Sequence, residues 1–188
     1  MTDTLRTARL TLRPLDPADA PFIEAQCGAW DVARMLRVVP YPYPPGMAAD
    51  YIRRMRAPEA TERAFALDAT VSGGEPILGA LTLKPVQGGV RLGYWLGRPW
   101  WGLGYMSEAV SAALDAAFAE PGVETAEAGV FSDNPASRRL LERLGFVFET
   151  VEDVWNLARG EAAPYHLGTL TRDAWRDRAA ARFAEAER

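Results

Sequence analysis

Gly93-Tyr94-Trp95-Leu96-Gly97-Arg98-Pro99-Trp100-Trp101-Gly102-Leu103-Gly104-Tyr105 reads as a strand that runs through a glycine-punctuated turn into a helix. Beyond the turn, Met106, Ala109, Val110, Ala113, Leu114, Ala117 and Phe118 recur at helical spacing. The first N–H groups of such a helix have no partner inside it, so the start can hold a phosphate. Gly102 and Gly104 let the backbone turn tightly and approach a ligand closely. Taken alone, the same glycines would equally suit a plain strand-to-helix joint with no ligand.

A second stretch, Asn134-Pro135-Ala136-Ser137, opens another helix. Asparagine caps, proline occupies the first helical position, and Ser137 lies in the first turn near the positive end of the helix. Leu140, Leu141 and Leu144 form its core stripe, and Gly145 ends it before Phe146. A capping or solvent-facing serine is the bland reading of Ser137. A phosphate-bearing cofactor between the two helix starts is the simplest reading of both stretches, and it points to group transfer from a carrier.

Outward from these, Arg9 to Leu15 alternates as a half-buried strand. Asp16-Pro17-Ala18-Asp19 starts a helix carrying Phe22, Ile23 and Gln26 toward Trp30. The prolines between Val38 and Gly46 forbid regular structure there, and a helix follows from Met47 to Arg56. Strands are expected at Ala64 to Thr70, Pro76 to Lys84 and Val90 to Leu96, joined by the glycine turns at Ser72–Gly74 and Gln87–Gly89. Val123 to Phe131, Phe146 to Val154 and Tyr165 to Leu170 complete the strands, and Thr171-Arg172-Asp173 caps a polar terminal helix. The order β-α-α-β-β-β-α-β-α-β-β predicts an α+β layered fold with one mixed sheet. The expected organisation is one domain over 1–188, with a core of about 7–175 and a polar helix or tail over 176–188.

A formal charge of −4 argues against a general nucleic-acid binder and mildly favours a cationic substrate such as an amine. A single cysteine, Cys27, excludes an internal disulfide framework, fits a reducing compartment and reads as buried filler. With one histidine, His166, a His/Cys zinc cluster is excluded, so no metal is expected. No signal-peptide pattern and no apolar run of about 18 residues occurs. A soluble cytoplasmic protein that binds neither membrane nor nucleic acid is the expectation, as a monomer or homodimer.

The run Trp101-Gly102-Leu103-Gly104-Tyr105-Met106-Ser107-Glu108-Ala109, followed by Asn134-Pro135-Ala136-Ser137 and Leu144-Gly145-Phe146, resembles the GNAT superfamily of N-acetyltransferases. Thr7 to Leu15 is similar to its ribosomal-protein serine/alanine N-acetyltransferase branch, and the likeness extends to about Trp175. It implies a three-layer fold whose mixed, mostly antiparallel sheet splays between strands four and five. It also implies acetyl-coenzyme A as cosubstrate and a primary amine as acceptor. By the same resemblance, the pyrophosphate rests on the backbone of Gly102, Leu103, Gly104, Tyr105, Met106 and Ser107. The pantetheine arm follows the strand edge at Tyr94, Trp95 and Leu96 and meets Asn134, with Arg138 near the cofactor. Ser137 lies near the sulfur as the candidate catalytic residue, donating a hydrogen bond or proton.

Trp30, Arg37, Tyr41, Tyr43, Trp100 and Trp155 are candidates for the acceptor pocket, where aromatic rings would favour an ammonium or a peptide backbone. The base is not legible: Tyr165 and His166 fall near the acceptor end of such a fold, and Glu149 or Asp68 would act through water. Pro99 and Arg91 depart from the family pattern, which often places a phosphate-holding Gln or Arg and a glutamate at these positions. Three functions follow: acetylation of a peptide or protein N-terminus, acetylation of a small amine (polyamine, amino acid derivative or drug), and a catalytically silent coenzyme A sensor.

Overall fold

The computed structural model describes residues 4–178. Eight strands form one sheet: β1 (Leu5–Arg6), β2 (Thr11–Pro14), β3 (Arg63–Asp68), β4 (Gly79–Val86), β5 (Gly89–Leu96), β6 (Thr125–Phe131), β7 (Val147–Asn156) and β8 (Glu161–Thr171). Their spatial order is β1-β2-β3-β4-β5-β6-β8-β7. All neighbours are antiparallel except β5 and β6, which run parallel.

Helices α1 (Ala20–Cys27) and α3 (Met47–Arg56) cover one face, with the short α2 (Trp30–Ala33) beside α1. Helices α4 (Tyr105–Phe118) and α5 (Pro135–Leu144) cover the other. The two faces are filled differently. Phe65, Leu67, Leu81, Leu83, Val90 and Leu92 pack under α4. Small Ala64, Ala66 and Ala80 receive Ile23 of α1 and Ile52 of α3. Alternation along each strand sends successive side chains into these two cores.

The expected α+β architecture is present, with one strand more than expected. β1 exists because the Thr7–Leu10 turn is tied to α4: Thr7 Oγ1 donates to Glu108 Oε1 at 2.5 Å, the Arg9 amide to the same oxygen at 2.8 Å, and Arg9 Nε to Oε2 at 2.7 Å. No local pattern in two residues could have announced that strand. The strand expected to run to Thr70 ends at Asp68, whose Oδ1 accepts from Thr70 N–H at 2.9 Å and Thr70 Oγ1 at 2.6 Å. That side-chain turn competes with the ladder and stops it. The last hairpin is longer than expected on both strands and closes through Arg159 N–H to Asn156 Oδ1 at 2.9 Å. The terminal helix begins after Thr171 and buries Trp175, whose indole donates to Asp115 Oδ1 at 2.8 Å. The remainder of the expected tail, 179–188, lies outside the described residues.

Burial opposes ionisation of Glu108, but the bonds from Thr7 and Arg9 outweigh it and hold its carboxyl below the ordinary value. A carboxyl depressed by folding stabilises fully above its unfolded value of about 4.3 and loses that contribution as pH falls through the folded value. Glu108→Gln will therefore be less stable than wild type near pH 6, and the difference will close below about pH 4. Thermal unfolding of both proteins across that range measures it.

β5 and β6 pair only from Gly89↔Thr125 to Leu92↔Ala128. Beyond this, Gly93 to Leu96 stay with β4 and Gly129 to Phe131 stay with β8, so the sheet parts. These are strands four and five of the sequence reading.

Candidate active site

The parting of β5 from β6 leaves a strand edge. Gly97 N–H donates to Leu78 O at 2.9 Å, continuing the β4–β5 ladder. Two-residue alternation then turns Trp95 toward β4 and the backbone groups of Tyr94 and Leu96 toward the gap. Trp101 folds back and its indole N–H takes the Leu96 carbonyl at 2.7 Å. The Tyr94 and Leu96 amides are the donors left facing the gap.

At the end of β5 the glycine turn delivers the chain into α4. Gly104 has φ +81°, a left-handed conformation that L side chains rarely adopt, and the first intrahelical bond runs from Glu108 N–H to Gly104 O at 3.1 Å. The N–H groups of Tyr105, Met106 and Ser107 thus begin the helix as free donors. Arg9 braces the turn from outside, donating to Leu103 O at 3.0 Å and lying 4.5 Å over the Tyr105 ring. Of the residues expected around the cofactor at this turn, neither Leu103 nor Tyr105 lines the cleft that occupies the gap.

Asn134 caps α5 as expected, its Oδ1 accepting from Ser137 N–H at 3.1 Å. Ser137 Oγ lies 2.7 Å from Tyr94 Oη, so a phenol on β5 and a hydroxyl on α5 are joined across the helix-facing side of the gap. Burial pushes the Tyr94 phenol up to about 12, although its bond to Ser137 works the other way, and it remains protonated at neutral pH.

A cleft of about 590 Å³ runs through this gap. Of the residues expected around a cofactor, Tyr94, Trp95, Leu96, Gly102, Gly104, Met106, Ser107, Asn134 and Ser137 line it, as does Trp100 of the expected acceptor wall. Arg138 does not: it pairs with Glu142 at 2.5 Å and lies 4.0 Å over the Phe148 ring. The other acceptor residues also fall outside the lining. Trp30, at the start of α2, and Tyr41, in the loop after it, pack edge-on at 5.1 Å, Tyr43 packs against the α1–α3 core, Trp155 is exposed on the edge strand β7, and Arg37 is exposed.

Ala136, Arg139, Leu140 and Arg143 line the cleft from α5, spaced as one helix face. That spacing is the signal by which Arg139 and Arg143 could have been found. Asp31, Met35, Leu36, Asp133 and Gly129 also line the cleft and carry no comparable local pattern. Asp31 pairs with Arg98 at 2.6 Å, and Asp133 with Arg34 and Arg159 at 2.7 and 2.8 Å. Arg159 and the buried Asn156 both donate to Arg34 O, at 2.9 and 3.0 Å, fixing the acceptor-side wall to the β7–β8 turn.

The remaining titratable candidates have structural partners. Burial opposes ionisation of Asp68, but bonds from Thr70 and Arg13 hold its carboxyl low, and it does not line the cleft. His166 Nε2 is 2.8 Å from Ser132 Oγ on the α5 side. Glu149 is exposed at the β7 irregularity. Arg91 faces Glu127, its Nε and Nη2 within 2.9 and 2.6 Å of one carboxylate oxygen. Cys27 is buried, and burial pushes its thiol up to about 12, as suits a packing residue. Among the described residues no group of three or more His, Cys, Asp or Glu side chains could hold a metal. No described helix is long and apolar enough to cross a membrane.

A mixed sheet parted at its parallel pair, with two helix starts on one face of the gap, defines a class: transferases that take an acyl group from a coenzyme A thioester. The model of the acetyltransferase (GNAT) domain matches residues 9–147, and the chain belongs to that family. It is an N-acetyltransferase that uses acetyl-coenzyme A as cosubstrate and an amine as acceptor. An uncharacterized N-acetyltransferase p20 of Bacillus licheniformis is 28% identical over 174 residues, covering 89% of this chain and 96% of its own. The spermidine N-acetyltransferase of Vibrio cholerae, solved with coenzyme A and spermine, shares the fold with TM-score 0.75 at 18% identity, over 90% of this chain and 99% of its own. A ribosomal L7/L12 alpha-N-protein acetyltransferase solved with coenzyme A does so with TM-score 0.76 at 16% identity, over 91% and 99%.

Proposed function

We propose that this enzyme acetylates the α-amine of a peptide or protein N-terminus. The observation that carries the reading is the pairing of the cleft carboxylates: Asp31 is engaged by Arg98, and Asp133 by Arg34 and Arg159. A polyamine needs free carboxylates to receive its several ammonium groups. A peptide terminus brings one amine and an uncharged backbone, which needs no free carboxylate in the open cleft that Gly93 and Gly129 line.

The donor side fits coenzyme A on chain chemistry. The Tyr105, Met106 and Ser107 amides suit a pyrophosphate, and Gly102 has open space where a side chain would stand. Arg139 and Arg143 add positive charge along the same cleft. Bound acetyl-coenzyme A supplies an activated thioester carbon. The Tyr94 and Leu96 amides are placed to receive negative charge developing on the thioester oxygen. The Ser137 hydroxyl, oriented by Tyr94, hydrogen-bonds the departing sulfur. A protonated phenol behind a serine makes a donor chain, not a base, so water removes the amine proton.

Purified protein with labelled acetyl-coenzyme A, offered short peptides with free N-termini and, separately, spermidine and spermine, tests the assignment. Turnover on peptides at least about tenfold above that on polyamines supports it. Robust turnover on small amines alone removes it.

A further inference from the structure

We propose that the Tyr165 hydroxyl is the acceptor-side contact of the reaction, accepting a hydrogen bond from the incoming amine and aiming its lone pair into the gap between β5 and β6. The inference rests on the reading of this gap as the acetyl-transfer site. Leu92 and Ala128 are the last paired residues of β5 and β6, so Gly93 and Gly129 are the first residues of the open gap. Leu92 and Ala128 face the α4 core, and alternation turns Gly93 and Gly129 to the opposite face, shared with α1 and α3.

Tyr165 pairs in register with Phe131, its ring packed edge-on at 5.0 Å, which places both on that same face. The Tyr165 ring leans along β6 over Gly129. A Cβ at position 129 would stand 2.1 Å from Oη and 2.2 Å from Cε1 and Cζ. Glycine is what allows the hydroxyl to lie at the open strand edge; Gly129 lines the cleft, and Tyr165, itself outside the lining, borders the cleft across Gly129. Tyr165 Oη makes no hydrogen bond to any described residue, and no buried side-chain polar atom is left unpartnered among them, so this oxygen is open to solvent.

The two faces of the gap thus carry different hydroxyl groups. Tyr94 and Ser137 meet on the helix side, where the sulfur departs, and Tyr165 stands on the other, where the Thr82 hydroxyl is already committed to the Gly93 carbonyl at 3.1 Å. Burial raises the Tyr165 phenol above its ordinary value, with Arg37 and Arg91 opposing and Glu152 adding to the rise. It stays neutral, so it orients the amine and leaves deprotonation to water. The nitrogen lone pair forms the C–N bond as the C–S bond breaks. The thiolate takes one proton and the nitrogen releases one to water.

Tyr165→Phe keeps the ring packing and removes the hydroxyl. The expected result is a fall of about tenfold or more in kcat/KM for the acceptor, with the acetyl-coenzyme A Kd and the Tm unchanged. Gly129→Ala, which displaces the ring instead, should give a comparable loss. Acceptor kcat/KM within about twofold of wild type in Tyr165→Phe overturns the inference, as does an equal loss of acetyl-coenzyme A affinity. Wild-type protein that binds acetyl-coenzyme A but acetylates no amine would overturn the proposed function and this inference together, a result visible before any variant is made.

Discussion

Gly104→Val will weaken coenzyme A binding by at least about a hundredfold, while Gly46→Val will leave it unchanged. Both glycines precede a helix in the same left-handed conformation, Gly104 at φ +81° and ψ −1° and Gly46 at φ +79° and ψ −10°. The backbone strain on a β-branched residue is alike at both, and the added Cβ meets only the flexible end of Arg9 at 3.3 Å at Gly104 and nothing at Gly46. At Gly104 the chain relieves that strain only by re-aiming the Tyr105, Met106 and Ser107 amides. Hydrogen bonds to a charged group are worth about 1.5–3 kcal/mol each, so losing two corresponds to a hundredfold or more. At Gly46 the same adjustment happens at the start of α3, away from the cleft. Calorimetric titration with coenzyme A, alongside thermal unfolding of both variants, separates binding from stability. Equal Kd values for the two variants would place the phosphate site elsewhere.

Ser137→Ala will lower kcat by about tenfold to a hundredfold with little change in cofactor affinity, and Tyr94→Phe will reproduce part of the loss. A serine hydroxyl is a weak acid. Its effect comes from a hydrogen bond to sulfur held in direction by Tyr94 at 2.7 Å. Because the two hydroxyls act as one chain, the double variant should be no worse than Ser137→Ala alone. Additive losses would mean that Tyr94 and Ser137 act separately, and an unchanged kcat in Ser137→Ala would reduce the serine to a helix-turn residue.

The donor half of the site was legible because its determinants are local. A left-handed glycine before a helix, an asparagine cap and a proline at the first helical position each leave a mark within a few residues. The acceptor half was not. Trp30, Tyr41 and Trp155 look like recognition residues by type, yet Trp30 packs on Tyr41 where α2 begins and Trp155 stands on an edge strand, all outside the cleft lining. The residues that do line that side, Asp31, Met35, Leu36, Asp133 and Gly129, are drawn from α2 and its exit, the end of β6 and the turn after it. Arg138 and Arg139 are adjacent and chemically identical. Only helix rotation sends one onto Phe148 and the other into the cleft.

The donor followed from the likeness of these motifs to the GNAT superfamily, while by itself the sequence determined most of the order of strands and helices, the glycine turn into α4 and the capped start of α5. These follow from backbone propensities and capping, which act over a turn or two of chain. Only the tertiary structure decided where the sheet parts, that Tyr94 reaches Ser137, that Arg98, Arg34 and Arg159 neutralise the cleft carboxylates, and that Tyr165 rests on Gly129. Each of these is a meeting of residues far apart in the chain, fixed by strand register and packing against helices, and no local pattern encodes it.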